Sequence, residues 1–88
     1  MGETISTTAD GDNRATFTVV VEPDEDAWHA YCPALQRYGA ATWGSSREEA
    51  LRHIRQVVEM VVAELIEEGE ELPADIDVSE GTRISVRA

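Results

Sequence analysis

The sequence predicts an α+β domain in which an antiparallel sheet of three to four strands packs on one long helix. Three observations lead there. Only one stretch, Ser45 to Gly69, repeats its apolar residues at helical spacing. Segments on either side of it alternate apolar and polar residues at the two-residue period of strands. Proline, glycine and aspartate sit between these segments and mark turns.

Taken in order, residues 1–15 hold Gly, Asp, Asn, Ser and Thr with few apolar side chains and read as a flexible leader, leaving a single domain over 16–88. Thr16 to Glu22 is the clearest strand, with Phe17, Val19 and Val21 on one face and Thr16, Thr18, Val20 and Glu22 on the other. Pro23-Asp24-Glu25-Asp26 is a turn. Trp28 to Cys32 returns, with Trp28, Ala30 and Cys32 opposite His29 and Tyr31. Pro33 lacks an amide hydrogen and stops that strand. Ala34 to Arg37 then crosses to a third short strand, Tyr38 to Trp43, and Gly44 breaks direction.

The helix start is marked twice, because Ser45 with Glu48, or Ser46 with Glu49, fits a capping box. Gly69 suits the left-handed residue that closes a helix, and Pro73 prevents its resumption. At about 100° per residue, Ala50, Leu51, Ile54, Val57, Val58, Val61, Val62 and Leu65 share one stripe. Arg52, Gln56, Glu59, Ala63 and Glu67 lie opposite. The result is an amphipathic helix of about 23 residues, held by burial against the sheet more than by its valine-rich propensity. Met60 and Ile66 lie near the two flanks of the stripe, as a broad core face, scattered surface residues or an oligomer interface. Beyond Pro73, Asp75 to Asp77 and Thr82 to Arg87 carry strand alternation, with Gly81 in a turn.

Charge and chemistry narrow the function. Eighteen acidic residues against 7 basic ones give a net charge of −11, which repels phosphate backbones, so nucleic-acid binding by this chain alone is not expected. The charge fits a basic protein partner and equally a merely soluble surface. Cys32 is the only cysteine, so no internal disulfide or thiolate metal cluster forms, and on the Trp28–Ala30 face it reads as a small core residue. No apolar run approaches a membrane span and no signal-peptide pattern is visible, so a cytoplasmic location is expected. His29 and His53 lack metal-ligand spacing. The runs Asp24–Asp26 and Glu67, Glu68, Glu70, Glu71 read as solvated surface rather than a converged acid–base pair. No catalytic residue, metal site or cofactor is expected, and the reading is that of a non-enzyme.

The order of these pieces resembles the HicB antitoxin family. The matching residues are the strand Phe17–Glu22, the acidic turn Pro23–Asp26, and Trp28–Cys32 leading into Pro33-Ala34-Leu35. Thr42-Trp43-Gly44-Ser45-Ser46-Arg47-Glu48-Glu49-Ala50 is similar to the family's Gly-x-Thr-x-x-Glu-Ala helix entrance, and the Glu-Glu-Gly helix end before Pro73 also fits. The likeness spans about 16–74. It departs where the family usually has Gly-Cys after Pro-x-Leu, since this chain has Gln36-Arg37-Tyr38-Gly39. Residues 75–88 are also too short and strand-like for the DNA-binding module that many relatives carry. The resemblance implies a β-β-β-α-β, partial ribonuclease-H-like fold without its catalytic carboxylates. It implies as partner a small basic mRNA-cleaving toxin of HicA type, neutralised by occlusion. Partner contacts are then expected from Asp24, Glu25 and Asp26 at the rim with Tyr31, Tyr38 and Trp43. Separately from the resemblance, the thin core of so short a chain, an exposed sheet edge and the flank residues Met60 and Ile66 lead to the expectation of a homodimer or higher oligomer. The alternative is a standalone oligomeric scaffold or regulatory domain with no toxin.

Overall fold

The computed structural model describes residues 14–88. Apart from Arg14 and Ala15, the leader expected over 1–15 lies outside them. Arg14–Asp24 (β1) and Ala27–Tyr31 (β2) form a hairpin, followed by a 3-10 helix Pro33–Tyr38, the strand Ala41–Gly44 (β3), the helix Arg47–Glu67 (α1) and the strand Thr82–Arg87 (β4). All neighbours in the sheet are antiparallel, in the order β3-β2-β1-β4. The expected α+β architecture with one long helix is the one observed.

The hairpin closes on two residues, Glu25 and Asp26, between the paired Asp24 and Ala27. Glu25 takes φ 58°, left-handed backbone that costs a residue with a Cβ on the order of 1 kcal/mol. Pro23 belongs to β1 rather than to the turn, opposite Trp28. It is tolerated there because β4 pairs with β1 only from Arg14 to Val19, so no neighbouring strand needs the missing amide.

Two expected strands are corrected. Tyr38, Gly39 and Ala40 are not strand: Pro33 opens the 3-10 helix, Gly39 ends it at φ 80°, and only then does β3 begin at Ala41. Asp75–Asp77 is not strand either. The Asp75 carboxylate serves the place that a strand would fill. β2 pairs with β1 only from Val20 onward, and beyond that point Thr18 donates its amide to Asp75 Oδ1 (2.7 Å) and its hydroxyl to Oδ2 (2.8 Å). A buried backbone amide is thereby satisfied by a side chain.

Helix α1 begins and ends as capping chemistry requires. Ser46 is the N-cap, and its hydroxyl accepts from the Glu49 amide (3.1 Å). The Glu49 carboxylate reaches one residue further back than in a capping box, accepting from both the amide and the hydroxyl of Ser45 at 2.6 Å. Those bonds, the side-chain one foremost, hold the Glu49 carboxyl below its ordinary range. At the other end Gly69 takes φ 75°, while Glu70 donates to the Leu65 carbonyl and Gly69 to that of Ile66, the paired bonds of a Schellman closure. Gly44 lets β3 run against the helix entrance, since a Cβ there would lie 2.5 Å from the Ala50 nitrogen.

The helix buries Ala50, Ile54, Val58, Val62 and Leu65 against Phe17, Val19, Ala30, Cys32, Leu35, Ile84 and Val86, with Leu51, Val57 and Val61 partly buried around them. Burial pushes the Cys32 thiol up from its ordinary value, as befits a core residue. Met60 and Ile66 are exposed, at 60% and 45%. They lie about 120° apart around the helix. No described helix is long and apolar enough to cross a membrane.

Candidate functional site

The sheet face turned away from α1 carries the densest set of exposed chemistry. Alternation along β1 puts Glu22 and Asp24 on that face, and along β2 it puts His29 and Tyr31 there. Register then decides who meets whom. Glu22 is opposite His29 across β1–β2, and His29 is opposite Trp43 across β2–β3, so three residues distant in sequence form one row across three strands. The His29 ring lies 4.6 Å from that of Trp43 and stacks on that of Tyr31 at 5.4 Å between centroids. Cross-strand pairs of this kind contribute about 0.2–1 kcal/mol each.

Carboxylates stand beside this ring row. Glu22 Oε2 is 3.7 Å from His29 Nδ1, and Asp24 Oδ2 accepts a hydrogen bond from the Trp43 indole Nε1 at 3.2 Å. From the helix side, the Trp43 carbonyl accepts from His53 Nδ1 at 2.8 Å, which requires the proton on that nitrogen and anchors the backbone of β3. The Trp43 side chain is pinned on both flanks yet 52% exposed. An amphipathic ring held in one orientation loses little entropy when a partner covers it.

Of the residues expected to meet a partner, Trp43 belongs to this row, Tyr31 stacks on its His29 and Asp24 bonds to its Trp43. Glu25 and Asp26 form the exposed tip of the adjoining hairpin. Tyr38 is separated from them on the 3-10 helix, with the Arg37 guanidinium 5.4 Å over its ring. Glu22 and His29 are additions that the structure makes to the expected set; the readable signal is the two-residue loop, which fixes Glu22 opposite His29.

Elsewhere, Glu59, Ala63, Ile66, Glu67, Arg87 and Ala88 line an open groove of about 650 Å³ between α1 and the end of β4. Met60 is not among its lining residues. Among the described residues, no three His, Cys, Asp or Glu side chains converge to hold a metal ion.

Comparison with known proteins places the chain. The N-terminal domain of the Burkholderia pseudomallei antitoxin HicB matches it with a TM-score of 0.62 at 19% identity, over 84% of this chain and 98% of that one. The fold is that of the HicB N-terminal domain. A UPF0150 protein of Synechocystis sp. is 33% identical over 60 residues, covering 67% of this chain and 73% of its own length. A UPF0150 protein of Helicobacter pylori is 40% identical over 49 residues, covering 56% of this chain and 65% of its own. The chain belongs to the UPF0150 family, which is related to HicB. No protein-family model matches it.

Proposed function

We propose that this chain is an antitoxin-like binding module, which neutralises a small basic mRNA-cleaving toxin of HicA type by covering its active site and performs no chemistry itself. The observation that carries this reading is the backbone match to nearly the whole N-terminal domain of a HicB antitoxin. The outer sheet face supports it with an exposed tryptophan beside the acidic residues Glu22, Asp24, Glu25 and Asp26. Interfaces gain most from a central aromatic residue, while rim carboxylates speed encounter with a basic partner. Steric cover needs no catalytic group.

The test is co-expression with the small basic protein expected from the adjacent reading frame. The chain should restore growth and co-purify with it. An adjacent protein that leaves growth unchanged and does not bind removes this reading.

The second reading, a standalone oligomeric scaffold, draws on the apolar groove beside β4 and on Ile66 within it. Sedimentation separates the two: a scaffold should remain at least dimeric at micromolar concentration and lose that state in Ile66→Asp.

A further inference from the structure

The row on the outer sheet face has a chemistry narrower than attraction to basic surfaces. We infer that Trp43 and Asp24, backed by His29 and Glu22, form a receptor for one arginine side chain of a basic protein partner. This rests on the reading above and deepens it by naming the group that the face takes.

The geometry favours a flat cation over a compact one. The Trp43 indole is fixed at its edge by Asp24 Oδ2 and flanked by the His29 ring, while half of the side chain stays open to solvent. A guanidinium can stack on an indole face and direct its planar fork of N–H groups at a nearby carboxylate. Asp24 spends only Oδ2 on the indole, which leaves Oδ1 as an acceptor for that fork. Glu22, beside His29, adds a second negative charge on the same face. A lysine ammonium offers a point charge with a tighter hydration shell and gains less from a ring face.

The occupant is a protein side chain because the rest of the chain repels polyanions and the hairpin tip adds Glu25 and Asp26 beside the site. Cation–π contact and a charge-assisted hydrogen bond are individually modest. A single arginine therefore makes an anchor within a larger interface, and an isolated peptide should bind weakly but measurably.

The experiment titrates the full, isotope-labelled chain with a peptide of three Gly-Arg repeats, and with its lysine and glutamine counterparts, following the two indole N–H signals by NMR. Trp28, on the helix side of the sheet, is the internal control. The arginine peptide should shift the Trp43 signal saturably and leave Trp28 in place. It should bind about threefold or more tighter than the lysine peptide, with no saturable response to glutamine. Asp24→Asn keeps an acceptor for the indole and removes the charge; it should weaken arginine binding about threefold or more. Trp43→Ala, checked for unchanged melting, should abolish the saturable shifts of the Tyr31 and His29 signals. Equal response to lysine, or binding that survives Trp43→Ala, overturns the inference. Either outcome is independent of toxin co-purification: a toxin can be bound while this receptor fails, and the receptor can stand while no toxin exists.

Discussion

The two faces of this sheet are built from the same alternating strands but by different rules. Toward α1, alternation alone decides the outcome: Phe17, Val19, Ala30, Cys32, Ile84 and Val86 meet a stripe of alanine, isoleucine, valine and leucine, and any residue of the right size and polarity would serve. Toward solvent, Glu22, His29 and Trp43 matter only because strand register lines them up. The first face holds the fold. The second holds Thr18 and Val20 buried and leaves Glu22 and Trp43 exposed, and the proposed function assigns that exposed part to a partner. One face should therefore tolerate conservative exchange and fail on a charge, while the exposed row of the other should tolerate truncation in the free protein and, on the proposed function, weaken a complex.

The largest effect is expected on the helix side. Ile54 is wholly buried, so Ile54→Asp places an unpaired charge in the core and should leave the protein largely unfolded by circular dichroism at 25 °C. Val61 is only partly buried, and Val61→Asp should be milder, because its carboxylate can turn toward water. Equal, near-native melting of both variants would mean that the stripe is not the core.

A smaller effect is expected at the strand edge, where Asp75 bonds to Thr18. Asp75→Ala strands the Thr18 amide and hydroxyl and should cost about 1–3 kcal/mol. Unchanged denaturant midpoints would show that the loop is not holding β1.

The smallest effect is at the helix entrance. The Glu49 carboxyl is held below its ordinary range by Ser45, so its contribution is present above the unfolded-state value and is lost as pH falls through the lower folded-state one. Glu49→Gln should therefore lower melting temperature slightly at neutral pH, and that difference should vanish as pH falls through the folded-state value, where the wild-type carboxyl also becomes protonated. A difference that persists in acid points to the hydrogen bonds rather than the charge.

The helix, its two ends and its buried stripe are legible in the sequence because capping, glycine closure and periodicity are local. So is the inward face of β1 and β2, which follows from alternation. The start of the third strand is not: Tyr38-Gly39-Ala40 shares the polar–apolar rhythm of a strand, but proline and a left-handed glycine impose a 3-10 turn there. Asp75 carries strand alternation in the sequence, yet its side chain bonds to an amide 57 residues away, and such a contact leaves no local trace. Half of the candidate site is legible for the same reason. Asp24, Tyr31 and Trp43 stand out by type, whereas the Trp43–His29 pairing depends on a register set beyond the 3-10 helix. The placement of Met60 and Ile66 on two flanks of the helix, about a third of a turn apart, is likewise legible from their six-residue spacing.

Hydrogen–deuterium exchange on the chain, with and without the small basic protein expected from the adjacent reading frame, tests whether the outer face meets a partner. The outer-face reading predicts new protection over residues 22–31 and 41–44 on binding, with the β4 edge and the Ile66 groove unchanged. Protection confined to 59–67 and 82–88, or no protection anywhere at saturating partner, contradicts it.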